Sequence, residues 1–434
     1  MLTPAQILNL FQSQPIESEW SFNCSQTGKW SHSYHRYPAK FIPQLVEKLI
    51  DEYIHSENAH INDPFMGSGT TIVTAISRGL KASGVDINRM AYLITKVKAT
   101  PIEPAYLDNQ IKPFLALLSF LAPESSIKTA SIPPLIPENH RERINYWFPE
   151  SNQYELGQIL RIIENQPDAM IKNFLRVAFS HILKSCSIWV QGSNKPTRDL
   201  KKVPANPYQS LKKHLKKMQK ANHEFYQVVP ATVRDNLSDY LTIFREDAAK
   251  QPIADNSVDL IISSSPYVTS YEYADLHQLS TLWLNLAEDL ADYRKYFIGT
   301  SHRDGDEKSL KSQIAQDIVS EMATKSQKLA RNIKTFFVDM QTVFEESFRI
   351  LKPHGRCCYV IGNTRLKSID ILNAQVFAES LQYAGFKLDR VIVREIPSKI
   401  LPQKRDEKTG RFASCQTTGT QAYPIEYIVI GMKE

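Results

Sequence analysis

The chain has 434 residues, of which 42% are hydrophobic and 23% charged, a composition that belongs to a folded globular protein and excludes a disordered one. That length buries one large core with an insertion, or two to three domains, and no apolar run approaches the length of a membrane span. The net charge of +6 is unevenly placed, because Lys184 to Asn222 holds ten Lys and Arg against one acid, Asp199. A run of this kind is either a solvated face or a phosphate-binding patch.

Five cysteines, Cys24, Cys186, Cys357, Cys358 and Cys415, are scattered without zinc spacing and are expected to be reduced thiols. Adjacent Cys357 and Cys358 sit in an apolar run, where neighbours point to opposite faces of a strand and pack the core. Met1 to Trp20 lacks the charged-then-apolar order of a signal peptide, so a cytoplasmic location is expected.

In chain order, a helix is predicted from Pro4 to Phe11. The segment His32 to Pro43 reads as a loop with an aromatic anchor, and a helix follows with Leu45, Val46, Leu49 and Ile50 at helical spacing and Pro43 near its first turn. His32 and His35 have no third ligand nearby, so no metal is expected. Ala59 to Ile61 starts a buried strand, and the nonamer Asp63-Pro64-Phe65-Met66-Gly67-Ser68-Gly69-Thr70-Thr71 leads into Ile72 to Ile76 at helical spacing, ending at Arg78-Gly79. The order is strand, glycine turn, helix: Gly67 and Gly69 let backbone approach a ligand, and the helix presents unpaired N–H groups. Asp86, at the end of the next strand, is placed to accept hydrogen bonds from ribose hydroxyls.

A helix from Asn88 to about Ala99 precedes breaks at Pro101, Pro104 and Pro113, and again at Pro133, Pro134 and Pro137. From His140 to about Val229 the periodicity is helical, with apolar stripes at Leu156, Ile159, Leu160, Ile163 and at Phe174, Leu175, Val177, Ala178, Ile182. Ser185 to Pro207 has loop composition. The helix after it places Lys212, Lys216 and Lys220 four residues apart, with Lys213 and Lys217 beside them, a face that repels itself unless something acidic covers it.

Strand patterns resume at Leu241 to Phe244, followed by Asp247, and at Ser257 to Ile262, which ends in Ser263-Ser264-Ser265-Pro266-Tyr267. After the turn Leu351 to Gly355 come a strand from Arg356 to Gly362, a helix from Ile371 to Ala384, and strands from Leu388 to Glu395 and Glu426 to Met432. Strands alternating with helices imply a mostly parallel sheet covered on both faces, with ligands at the carboxyl ends of its strands.

The nonamer resembles the cofactor loop of S-adenosylmethionine-dependent DNA amino-methyltransferases, the N4-cytosine and N6-adenine type. Ser264-Ser265-Pro266-Tyr267 is similar to that family's catalytic motif of Asp, Asn or Ser, then Pro-Pro, then Tyr, Phe or Trp. The resemblance covers Trp20 to Ala99 and Asn236 to Lys433. It implies an α/β fold, a doubly wound, mostly parallel seven-stranded Rossmann-like sheet whose final strand is antiparallel, with a helical insertion. The domains are then a discontinuous catalytic core, 20–100 plus 236–434, and a basic helical insertion, 101–235, as the region that recognises double-stranded DNA.

For the cofactor, S-adenosylmethionine, the resemblance implies Asp63, Pro64, Phe65, Gly67, Gly69, Thr70, Thr71 and Asp86, with Asp247 accepting from the adenine amine. Tyr37, Pro38, Ala39, Lys40 and Phe41 resemble the segment that closes over the methionine end. Phosphate contacts are expected from Lys195, Arg198, Lys201, Lys202, Lys212, Lys213, Lys216 and Lys217, and base readout from the loop near Lys195 and Arg198 or from Gln403 to Arg411.

The chemistry matches these residue types. An exocyclic amine is a poor nucleophile because its lone pair is delocalised into the ring; two acceptors gripping its hydrogens aim that lone pair at the sulfonium methyl. Ser264 and the carbonyl of Ser265 supply such a pair, with Ser263 as the alternative if the register is shifted, and Tyr267 stacks on a base flipped out of the duplex. Ser265 departs from the family's first Pro, which keeps the carbonyl but loses the fixed φ. No Pro-Cys pair supports carbon-5 methylation. Serine in the first position favours cytosine N4; adenine N6, an RNA base methyltransferase and a nucleic-acid-binding module with a vestigial cofactor fold stay open. A cognate restriction endonuclease is a possible partner.

Overall fold

The structure, a computed structural model, describes all residues except 23–24, 38–40, 122–131, 194, 269–272, 304–307, 397–403, 407–411, 414–418 and 422–424, together with all side chains but those of 273, 404–406, 412–413 and 419–421. Pro38, Ala39 and Lys40, Cys24 and Cys415, and the side chains of the Gln403 to Arg411 loop lie outside the described residues.

Seven runs rich in β-branched and apolar residues pair into one sheet: β1 His60–Asp63, β2 Lys81–Val85, β3 Leu241–Phe244, β4 Val258–Ser264, β5 Leu351–Ile361, β6 Lys387–Glu395 and β7 Ile425–Met432. Their order across the sheet is β3-β2-β1-β4-β5-β7-β6. The first five pair in parallel, and β7 runs antiparallel to both of its neighbours. This is the doubly wound, mostly parallel seven-stranded sheet with a reversed final strand.

Side chains alternate across a strand, so the sheet has two apolar faces to bury. On one face Ile61, Leu260, Ile262, Cys358, Val360 and Ile428 pack against α2 Pro43–Tyr53 and α3 Thr70–Ser77. On the other Ile261, Cys357, Tyr359, Ile361 and Val429 pack against the helices Gln313–Lys325, Gln327–Ile350 and Asn373–Tyr383. Cys357 and Cys358 thus belong to opposite cores. The N-terminal helix α1 Pro4–Ser13, closed by a capping box on Thr3, adds Ile7 and Phe11 to the second face.

One local expectation is corrected. Leu351 to Gly355 is an excursion within β5, not a turn before it. Val258 pairs with Leu351 but Leu260 with Arg356, and the extra residues are held by His354 N–H to the Lys433 carbonyl (2.7 Å) and Lys433 N–H to the Gly355 carbonyl (3.0 Å).

After β2, α4 Arg89–Ala99 is capped by the Asn88 side chain, which accepts from the N–H groups of Met90 and Ala91. Then come α5 Pro104–Leu121, α6 Arg141–Trp147, α7 Glu150–Glu164, α8 Ala169–Leu183 and α9 Pro207–Val228. Their apolar stripes close a second core around Phe174, Phe179, Leu211 and Leu215. That core also takes Tyr34, Met90 and Ile94, and Leu282 and Trp283 from the later helix Gln278–Trp283. The far end of α9 belongs elsewhere, because Phe225 joins the sheet core.

Four histidines cluster: His35, His214 and His277 are buried and His181 is half-buried. His35 Nε2 is 2.8 Å from Ser180 Oγ, His181 stacks on His214 at 3.7 Å, and His277 lies 4.9 Å from the Tyr37 ring. Burial keeps all four rings neutral by lowering their pKa values, to about 4 for His214 and His277. Among the described residues no three His, Cys, Asp or Glu side chains group as a metal would require, and no helix is long and apolar enough to cross a membrane.

Candidate active site

At the carboxyl end of β1 the chain turns through Asp63 to Gly69 into α3. Gly67 and Gly69 take φ +48° and +77°; a Cβ on Gly69 would lie 2.8 Å from the Thr95 side chain, and one on Gly67 3.3 Å from the Tyr37 ring. Both positions therefore need glycine. The turn is tied to the next strand, since the Gly67 N–H donates to Asp86 (2.9 Å) and the Thr95 hydroxyl donates to the Gly67 carbonyl (2.9 Å).

Two carboxylates end adjacent strands here. Asp63 accepts from the Phe65 N–H (3.0 Å) and from Ser263 Oγ (2.7 Å), and Asp86 accepts a second bond from the Asn88 N–H (2.8 Å). Neither has an ion-pair partner among the described residues. Burial away from compensating charge pushes Asp63 up to about 6 and Asp86 up to about 7. Asp63 is buried and Asp86 half-buried on the cleft, and acids not paired to a cation retain acceptor capacity for neutral donors, which is what a ribose diol offers.

These groups line one open cleft. Around it stand Tyr37, Phe41, Asp63, Pro64, Phe65, Gly67, Thr70, Asp86 and Asp247, and also Ser264, Ser265, Pro266 and Tyr267. The cofactor-type turn and the Ser-Pro-Tyr segment meet because β1 and β4 are neighbours in the sheet. Gly69 and Thr71 stand behind the wall: Thr71 is fully buried and its hydroxyl donates to the Ile262 carbonyl (3.2 Å).

The end of β4 separates its two serines. Ser263 is fully buried and its hydroxyl is given to Asp63, whereas Ser264 is half-exposed on the cleft. Ser265 is buried, with Oγ 3.4 Å from the Val360 carbonyl. Tyr267 donates its hydroxyl to Glu426 Oε1 (3.0 Å), and Gly362 leaves room beside its ring, where a Cβ would come within 3.3 Å. The other oxygen of Glu426 meets Arg394 Nη1 at 3.4 Å, from the facing residue of β6. Arg394 is 1% exposed, and its Nη2 reaches the Ser21 carbonyl at 3.5 Å. Tyr267 is thus held at both its edge and its tip.

Sequence reasoning missed several lining groups: Glu246, Ile87, Asn88, and the wall Tyr296-Phe297-Ile298. Tyr296 is 60% exposed at the cleft. A Tyr-Phe-Ile triplet just before Gly299 was the available signal, because Gly299 (φ +86°) lets this wall approach the Tyr267 carbonyl. Nothing local marked Arg394 or Glu426.

The basic residues divide. Lys213, Lys216 and Lys217 are exposed on α9 and Lys195 and Lys201 on the preceding loop, without ion-pair partners among the described residues. Lys202 turns inward. Its ammonium donates to the carbonyls of Lys184 (2.9 Å) and Trp189 (2.6 Å), so it builds the loop and does not reach out to phosphate. Lys212 donates to Ser119 Oγ (2.7 Å), and the Arg198 guanidinium lies 4.0 Å over the Tyr146 ring.

A sheet with this strand order, a glycine turn after β1 and acids ending β1 and β2 form a Rossmann-like site suited to S-adenosylmethionine. Residues 9–97 match the model of the N6/N4 DNA methylase family. The chain is 26% identical to the type II methyltransferase M.MvaI of Kocuria varians, over 91% of this chain and 90% of that one. It is 24% identical to type II methyltransferase M.AvaI of Anabaena variabilis (92% and 85% covered) and 21% to M.BsoBI of Geobacillus stearothermophilus (82% and 79%). The chain is thus similar to the DNA amino-methyltransferase family model over residues 9–97 and to type II methyltransferases over most of its length.

Proposed function

We propose that this enzyme methylates N4 of a cytosine flipped out of double-stranded DNA at a specific site. The observation that carries the reading is the exposure of Ser264 on the cleft beside Pro266 and Tyr267, with Ser263 turned away into the sheet. The amine hydrogens are accepted by Ser264 Oγ and by the carbonyl of Ser265. Tyr267, braced by Glu426 and Gly362, offers its ring to the base. Serine is a neutral acceptor, which suits an amine that needs orienting more than deprotonating before transfer.

S-adenosylmethionine, when bound, supplies the electrophilic methyl. Asp86 accepts from its ribose hydroxyls and Asp247 from its adenine amine. Asp63 and the glycine turn through Pro64, Phe65, Gly67 and Thr70, braced by Gly69 and Thr71, shape the floor. Tyr37 and Phe41, which line the cleft, hold the methionine end next to the N-terminus of α2. The helical insertion, about 101–235, supplies the phosphate contacts through Lys195, Arg198, Lys201, Lys213, Lys216 and Lys217.

The type II names of the relatives support a cytoplasmic restriction–modification role with a cognate endonuclease. Nucleoside mass spectrometry of unmodified DNA treated with enzyme and cofactor tests the base assignment. The expected product is N4-methylcytosine; N6-methyladenine would overturn the cytosine reading and leave the enzyme class intact.

A further inference from the structure

Residues 188–193 and 195–205 form a tied hairpin. Trp189 and Arg198 bridge as antiparallel partners, the Val190 N–H donates to the Thr197 carbonyl (2.9 Å) and the Asp199 N–H to the Ile188 carbonyl (2.8 Å). A tight turn follows, closed by the Lys202 N–H on the Asp199 carbonyl (3.2 Å), with Leu200 and Lys201 at its centre. The base of the hairpin is fixed by the buried Trp189, which stacks on Trp147 at 5.0 Å and donates its indole N–H to the Ser193 carbonyl (3.1 Å). The inward Lys202 ammonium adds two more bonds.

This fixed scaffold carries two aliphatic side chains in water. Leu200 is 78% exposed and Val203 89%; apart from Met1 they are the most exposed large apolar side chains among the described residues. Burying such a side chain is worth about 1.5–3 kcal/mol, so a rigid turn that displays two forgoes that stabilisation until something covers them. Lys195, Arg198 and Lys201 are exposed in the same segment, with Asp199 its only acid, and the Asp199 Oδ1 already accepts the Lys201 N–H (2.9 Å). An apolar turn in a cationic segment complements a polyanion whose interior is apolar and stacked.

The hairpin is also linked to the cleft. Arg198 and Arg143 both lie over the Tyr146 ring, Arg143 donates to Gln278 Oε1 (3.2 Å), and the neighbouring His277 packs on Tyr37 in the cleft wall. Lys184, which bonds the hairpin at the Ser193 carbonyl (2.8 Å), lies close enough to feel the charge of Arg36, the residue before Tyr37.

We propose that the Leu200–Val203 turn is an apolar wedge that enters the DNA substrate between base steps while Lys195, Arg198 and Lys201 hold the flanking phosphates, which helps extrude the target base. This rests on the reading that the base is flipped from a duplex. Because both side chains are exposed, Leu200→Ser with Val203→Ser leaves the fold intact. The test measures methyl transfer to unmodified phage-length DNA, as duplex and after heat denaturation.

For the double variant, kcat/KM on duplex should fall about 10- to 100-fold, the scale of the cost of unstacking a base step. Transfer to denatured DNA and the salt slope of duplex binding should stay at wild-type values. Lys195→Gln with Lys201→Gln should instead flatten the salt slope and weaken transfer to both DNA forms. Wild-type transfer by the serine variant on duplex overturns the wedge, as does an equal loss on both DNA forms. If the unaltered enzyme transfers equally well to both forms, the flipping reading fails, and the wedge with it.

Discussion

The C-terminal half of the sheet and the stretch from the hairpin through α9 treat positive charge in opposite ways. In the first, Arg390 sits between Glu17 and Glu52 (2.6 Å each), Arg349 between Asp255 and Glu346, Arg356 on Asp389 (2.7 Å) and Lys352 on Asp259 (2.8 Å). In the second, Lys195, Lys201, Lys213, Lys216, Lys217 and Lys220 have no acid within ion-pair distance among the described residues. Exposed pairs add little stability, about 0–1 kcal/mol, so the contrast concerns availability more than folding. Cations already neutralised cannot take a phosphate, and unpaired ones on one helix repel each other until a polyanion arrives. In the cleft, Asp63 and Asp86 are the mirror case: a buried and a half-buried acid with no cation paired to either among the described residues.

The comparison breaks most sharply at the glycine turn. Gly69→Val should abolish cofactor binding in calorimetry, because φ +77° and a Cβ 2.8 Å from Thr95 force the turn to move. Wild-type affinity in this variant would mean that the cleft is not the cofactor site.

Next in size, Ser264→Ala should lower single-turnover methyl transfer on the order of 10²–10³-fold, with cofactor affinity unchanged. If Ser263→Ala alone stops transfer without disturbing the fold, the acceptor is the other serine. Its bond to Asp63 makes a cofactor-binding defect the expected result for that variant instead.

Replacing Lys213, Lys216, Lys217 and Lys220 with Gln should weaken DNA binding for every sequence and shrink the slope of log K against log salt by up to about 0.9 for each phosphate no longer neutralised. Arg390→Gln is the matched control. It removes one cation from the paired region and should leave the salt slope alone, at a stability cost of less than about 1 kcal/mol for a partly exposed pair. A slope that falls equally in both variants would erase the distinction.

The smallest effect is on pH. Asp86 lies near 7 in the free protein, and ribose donors favour its charged form, so binding releases a proton. Cofactor affinity should weaken as pH falls below about 7 and level off above it, and Asp86→Asn should flatten the profile. For the free fold the sign is opposite. The native state holds protons on Asp63 and Asp86 that the unfolded chain loses near its ordinary carboxyl value of about 3.9. Their contribution to stability therefore declines as pH rises from about 4 to 7, and thermal unfolding across that window measures it.

What the sequence alone determined was local. The strand, glycine turn and helix around Asp63 to Ile76, the acid ending the next strand, the Ser-Ser-Pro-Tyr end of β4 and the unpaired charge on α9 all follow from backbone preference or side-chain period, which act over a few residues. The helix Gln327–Ile350 is just as periodic, yet it carries no motif that marks its place in the fold. Only the tertiary structure decided partners. Asp63 meets Ser263, 200 residues on, because β1 lies beside β4, and Tyr267 finds Glu426 and Arg394 because β7 reverses beside β6. Lys202 reads like its neighbours in the chain, yet two carbonyls take its charge out of service, and Leu200, in a stretch of loop composition, is held in water. Periodicity states that a side chain has a face to bury; which strand, carbonyl or solvent that face meets depends on the whole chain's pairing, to which local preference is blind.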